Sequence, residues 1–200
     1  MSEGLGFARA VIVTGSSSGI GAALCRQLAE AGTGLVIHAR HNRDGCEGVA
    51  AECRERGAET AIVLGDIGDA KTSEDLVAAA VGSFGRLDGI VANAGLPILK
   101  PFEAAGRDEL DYALAANLSG FFELARAALP HLRKSDCPRI VGVSSLNAHV
   151  FRPGFINFPI SGASKAGLEA MVKGLALELA PEYLSSKSGL IRYHESFAKV

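Results

Sequence analysis

The sequence predicts a doubly wound α/β fold: a parallel sheet of about five strands with helices on both faces. Three observations carry this. Short apolar, β-branched runs at 10–13, 35–39, 60–64, 89–92 and 139–143 alternate with segments whose apolar residues recur at helical spacing. The first run breaks directly into Thr14-Gly15-Ser16-Ser17-Ser18-Gly19-Ile20-Gly21, then resumes with Leu24 and Leu28, which reads as strand, tight turn and helix. Finally, 24 glycines among 200 residues, with 48% hydrophobic and only 6% aromatic content, suit many tight strand–helix turns rather than a base-stacking surface.

The chain is long enough for one domain with a full core, and residues 1–183 are expected to form it, with a short atypical tail at 184–200. A net charge of −2 without a basic run argues against nucleic acid or an anionic membrane as the main partner. No apolar run is long enough to span a bilayer, and the first residues lack the pattern of a signal peptide, so a cytoplasmic location is expected. The four cysteines, Cys25, Cys46, Cys53 and Cys137, have no C-x-x-C spacing and are expected as free thiols. His38 and His41 close the second strand without a further ligand cluster, which favours polar strand-end residues over a metal site.

The elements follow in order. The glycine turn opens a helix over about 20–31. Glycines let the backbone approach a pyrophosphate, the N–H groups and dipole of the new helix favour its charge, and Ser17 and Ser18 add hydroxyl donors. A turn of this kind also occurs without a ligand, so the later residues decide. After the second strand, the zone that would meet a cofactor ribose reads Ala39-Arg40-His41-Asn42-Arg43, with the first carboxylate at Asp44. A carboxylate there would repel a 2′-phosphate, whereas Arg40 can grip one, which points to NADP over NAD.

A helix over 46–56, the third strand running into Gly65-Asp66-Ile67, and a helix over 72–81 capped by Thr72 or Ser73 come next. The fourth strand stops at Asn93-Ala94-Gly95. Parallel β-α-β units place their ligands outside the carboxyl ends of the strands, where the glycine turn, Arg40, Asp66 and Asn93 converge. Residues 96–103 carry Pro97 and Pro101 and read as a loop. One long helix is expected over 107–132 with Asn117 near its middle, where an Asn is usually just a solvated or satisfied polar residue. The fifth strand ends in Ser144-Ser145. The irregular stretch 146–160, with Phe151, Phe155 and Phe158, suits an apolar substrate wall or buried loop packing. Ser161-Gly162-Ala163-Ser164-Lys165 opens a last helix with one apolar face.

Taken together, the glycine motif, Asp66, Asn93-Ala94-Gly95, Asn117, Ser144-Ser145 and Ala163-Ser164-Lys165 resemble the short-chain dehydrogenase/reductase family in order and spacing, from about Arg9 to Glu182. The resemblance implies a Rossmann-like sheet ordered 3-2-1-4-5 and hydride transfer between NAD(P) and a carbonyl or alcohol. It implies that Ser145 hydrogen-bonds the substrate oxygen, that Lys165 holds the nicotinamide ribose, and that Asn117 holds a proton-relay water. Asp66 and Ile67 would border the adenine, and Asn93 would pack against the cofactor. It also implies homo-oligomers through two long helices.

Two departures stand out. The family's tyrosine acid, four residues before the lysine, is Ser161 here, a far weaker acid on a shorter side chain, so impaired or water-assisted turnover is expected. Past the last matching helix the family adds two strands and a Pro-Gly turn bearing a substrate lid, whereas residues 185–200 contain no Pro-Gly and offer at most an edge strand at 190–193. An exposed fifth strand, marginal stability and self-association along that edge are therefore expected. The alternative reading is a non-catalytic relative that binds nucleotide or pairs with a complete partner, and an engineered Ser161, or an altered reading frame or splice, stays open beside it.

Overall fold

The computed structural model describes residues 6–154 and 157–184. The order is β1 (Arg9–Val13), α1 (Gly19–Leu28), β2 (Thr33–Ala39), α2 (Arg43–Glu55), β3 (Glu59–Leu64), α3 (Ala70–Phe84), β4 (Gly89–Ala92), α4 (Arg107–Leu114), α5 (Gly120–Leu132), β5 (Arg139–Gly142) and α6 (Pro159–Leu184). The five strands form one parallel sheet ordered β3-β2-β1-β4-β5, the doubly wound arrangement expected. The tail beyond 184, its expected edge strand at 190–193, and Phe155 lie outside the described residues.

Strand alternation builds two cores. Ala10, Ile12, Val36 and Ile90 face α3, α5 and α6, where Leu76, Leu124 and Leu168 bury against them. Val11, Val13, Leu35 and Ile37 face α1 and α2. Among the described residues the second face carries two helices against three, and a cleft of about 740 Å3 lined by Leu24, Leu28, Val91 and Val141 opens over β1, β4 and β5. Among the described residues β5 is an edge strand, and it is only partly buried. Asp88 ties the starts of β1 and β4: it accepts from Ala10 N–H at 2.7 Å, from Arg86 through both carboxylate oxygens, and from the Ser135 hydroxyl at 2.6 Å. Burial pulls its pKa up, yet these donors outweigh that and hold it below the ordinary carboxylate value.

Several expected boundaries shift: the first helix ends at Leu28 instead of about 31, α2 begins at Arg43 instead of 46, and α6 opens at Pro159 instead of 161; two further shifts have a clear physical cause. The third helix begins at Ala70, capped by Asp69, whose side chain accepts from Lys71 N–H at 3.0 Å, and Thr72 and Ser73 lie buried inside it. Asp is as good an N-cap as Ser or Thr, and it comes first along the chain. The expected single helix over 107–132 is two helices joined by a π-helical turn, Ala115–Ser119, with Asn117 at its centre. The extra residue in that turn lets Asn117 face inward, where its amide accepts from Leu96 N–H at 2.9 Å and donates to Leu96 O at 3.1 Å and to the Ser164 hydroxyl at 2.9 Å.

Candidate cofactor and catalytic site

The glycine turn leaves β1 at Thr14 and is braced from three sides. Thr14 Oγ1 accepts from the Asn93 and Ala94 N–H groups at 3.0 and 2.9 Å, and Asn93 Nδ2 donates to the carbonyls of Thr14 and Gly15. The amide of Asn93 is thus spent on the turn itself. Gly15 adopts φ +63°, and a Cβ there would lie 2.8 Å from Ala94 Cα, so both conformation and close approach demand glycine. Ser18 caps α1 with no side-chain bond to its first turn, leaving Ser18, Gly19 and Ile20 exposed at the helix start, with Gly21 buried behind them.

His38, which sequence reasoning left as a plain strand-end residue, is the turn's main strut. Its Nδ1 accepts from Gly15 N–H at 3.1 Å and its Nε2 donates to Gly65 O at 3.0 Å. Its backbone exchanges bonds with Ser16. Burial lowers the imidazole's pKa, so the neutral ring that can accept at Nδ1 is the favoured form. It sits in a strand whose every residue is buried.

A cleft of about 390 Å3 lies over the strand ends. Its walls include Gly15, Ser17, Ser18, Arg40, Asp66, Ile67, Ala94 and Gly95, together with Tyr112 from α4. Arg40 is half-exposed; its Nε lies 3.0 Å from Asp66 Oδ2, its Nη1 hydrogen-bonds Tyr112 Oη, and its Cζ sits 5.0 Å from the Tyr112 ring centroid.

A second cluster of polar side chains adjoins the cleft at Gly95. A Cβ on Gly95 would meet Asn117 Oδ1 at 2.9 Å and Lys165 Nζ at 3.0 Å. Lys165 is buried, and its Nζ donates to Val143 O at 2.9 Å, at the base of the segment that bears Ser145. Burial alone pulls its pKa from 10.5 down to about 8. Ser145 Oγ accepts only a long bond, 3.3 Å, from Asn147 N–H and is otherwise available. Its neighbour Ser144 hydrogen-bonds the buried Glu169, which also pairs with His149 at 2.6 Å. Glu169 on α6 thus holds the Ser145 segment from both flanks, through Ser144 and His149.

Ser161 is buried and fully engaged. Its Oγ accepts from Ile98 N–H at 2.7 Å and lies 3.3 Å from Ile98 O. It pins the 96–100 loop over a small apolar cluster of Ile98, Ala113 and Ile160. Phe151, expected in the apolar wall, is largely exposed, as are Leu99 and Phe102.

The donors present fit a dinucleotide: an uncapped helix start beside a glycine turn that tolerates no Cβ at Gly15, an arginine at the end of β2, and a buried lysine below Gly95. No helix among the described residues is long and apolar enough to cross a membrane, and none of their His, Cys, Asp and Glu side chains cluster as a metal site.

Comparison with known proteins agrees with this geometry. The family model described as short chain dehydrogenase matches residues 9–188. The chain is 34% identical over 171 residues to the 3-oxoacyl-acyl-carrier-protein reductase FabG of Aggregatibacter actinomycetemcomitans, covering 85% of this chain and 69% of that one. It is 33% identical over 173 residues to 3beta-hydroxysteroid dehydrogenase 1 of Eggerthella lenta, covering 86% of this chain and 65% of that one. A crystal structure of a dehydrogenase/reductase from Sinorhizobium meliloti superposes with a TM-score of 0.80 at 30% identity, over 87% of this chain and 68% of the other. The chain thus spans about two thirds of the length of such relatives. With the sheet order, the glycine turn and the buried lysine in place, the chain belongs to the short-chain dehydrogenase/reductase family.

Proposed function

We propose that this protein binds NADP(H) in preference to NAD(H), and that it acts as an oxidoreductase between the nicotinamide and a carbonyl or alcohol, with slow turnover. The observation that carries this is one cleft in which the glycine turn, Arg40 and Asp66 meet and which Gly95 joins to Lys165 and Asn117. When bound, the cofactor supplies or accepts the hydride. The start of α1 with Ser17 and Ser18 would hold its pyrophosphate, Arg40 its 2′-phosphate, and Asp66 and Ile67 would border the adenine. Ser145 would donate to the substrate oxygen, Lys165 would hold the ribose, and the Asn117 turn would hold a relay water.

Ser161 is the weak link. With both directions of its hydroxyl bonding taken by Ile98, it has no free acid to offer, and loss of general acid–base catalysis costs typically 10²–10⁴-fold. The same observation favours a second reading, a nucleotide-binding relative without turnover. The activities named for the relatives, on a 3-oxoacyl carrier protein and a 3β-hydroxysteroid, make a substrate with an apolar body the first class to try. A second copy of this chain fits the groove of about 370 Å3 between α5 and α6, lined by Phe121, Phe122, Leu129, Met171 and Leu175, with Phe122 exposed in it. The free thiols suit the cytoplasm.

Single-turnover oxidation of NADPH by excess protein with a panel of apolar ketones tests the reading. Slow oxidation that Ser145→Ala abolishes supports it. Binding without any oxidation supports the second reading.

A further inference from the structure

Arg40 is not a loose surface arginine. The carboxylate of Asp66 is shared: Oδ1 accepts from Gly68 N–H at 3.0 Å, while Oδ2 takes Arg40 Nε at 3.0 Å and lies 3.3 Å from Tyr112 Oη. Burial and the adjacent Asp66 raise the pKa of the phenol, so at neutral pH it is an uncharged donor. The guanidinium is therefore held by a salt bridge, a hydrogen bond and a ring face at once, and these come from the turn after β3 and from α4 across the cleft. Among the described residues no group accepts from Arg40 Nη2, which leaves that nitrogen for an incoming anion without breaking the bond to Asp66.

We propose that Tyr112 is a specificity-determining residue: it orients Arg40 across the cleft so that a 2′-phosphate, and not a 2′-hydroxyl, is rewarded. This rests on the proposed placement of the cofactor phosphate at Arg40. A flexible arginine loses rotamer freedom when it binds, and a partner that fixes it beforehand removes that cost for the phosphorylated ligand alone. The ring does most of this, because a cation over an aromatic face keeps the guanidinium plane in place while its outer edge stays open. The hydroxyl contributes less, since Asp66 Oδ2 already holds Nε.

The test is fluorescence titration of the full chain with NADPH and with NADH, for the wild type, Tyr112→Phe, Tyr112→Ala, Arg40→Ala and the Arg40→Ala/Tyr112→Ala double variant. Tyr112→Ala is expected to weaken NADPH roughly threefold to fivefold, the worth of a cation–π contact at a partly exposed site, and to leave NADH within about twofold. Tyr112→Phe, which keeps the ring, should hold NADPH within about twofold, and Tyr112→Ala should add nothing to the ratio once Arg40 is gone. Equal loss of both cofactors in Tyr112→Ala, or Tyr112→Phe falling as far as Tyr112→Ala, overturns the proposal. If Arg40→Ala leaves the NADPH to NADH ratio unchanged, the placement of the phosphate fails and this inference with it. If Arg40→Ala collapses the ratio and Tyr112→Ala does not reduce it, only the role of Tyr112 is lost.

Discussion

Lys165 should be a stability liability. Its ammonium is buried with one backbone acceptor, Val143 O, and its pKa falls from 10.5 to about 8. That fall from 10.5 to about 8 corresponds to about 3 kcal/mol of preference for the uncharged form in the folded state. The unfolded chain binds the proton more tightly, so this penalty is fully present below pH 8 and fades as the pH rises from 8 toward 10.5. Lys165→Met removes the charge, keeps most of the apolar length, and gives up one hydrogen bond worth about 1 kcal/mol. At neutral pH the variant should gain about 2 kcal/mol, or roughly 4–8 °C in Tm for a domain of this size. Denaturant unfolding of both proteins across this pH range is the assay. Wild-type stability should climb between pH 8 and 10.5 toward that of the variant. A variant less stable than wild type at pH 7, or parallel pH profiles, would refute the burial argument.

Other residues make separate predictions. Ser161→Ala strands the Ile98 N–H and should cost about 1–3 kcal/mol in unfolding experiments while leaving single-turnover NADPH oxidation unchanged. A loss of turnover at unchanged stability would make Ser161 the acid after all. Ser161→Tyr must push the 96–100 loop aside, so it should lower Tm; where the remaining site is intact it should raise turnover by on the order of 10²–10⁴. His38 has a pKa lowered mainly by burial, so its stabilising contribution is complete above its ordinary value of 6.5 and lost as the pH falls below it. Unfolding midpoints and NADPH affinity should therefore drop together on acidification, more steeply in wild type than in His38→Gln; equal slopes would contradict the strut. Sedimentation should show self-association that Phe122→Asp weakens, since Phe122 lines the α5–α6 groove and is 48% exposed. Dissociation by Val141→Lys instead would place the contact at the β5 edge.

Much of the frame was legible because its signals are local. The run from Ala10 to Leu28 gives strand, turn and helix from residues that touch one another in sequence, and β-branched runs separated by helices leave few topologies. Contacts made across the sheet were not legible. Arg40 meets Tyr112 across 72 positions, and Ser161 meets Ile98 across 63; no periodicity connects either pair. The π turn escaped for a related reason. Asn117 reads as an ordinary helical polar residue until Leu96 and Ser164 are seen to claim its amide. His38 was hidden by its own chemistry, since a neutral buried imidazole and a solvated one look alike in sequence.

The most direct test of the account is the affinity of the wild-type protein for NADPH beside NADH, read by nicotinamide fluorescence. Saturable binding of both, with NADPH tighter by about tenfold, the worth of one charge-assisted contact from Arg40, is the predicted result. No saturable binding of either, or equal affinity for both, would contradict it.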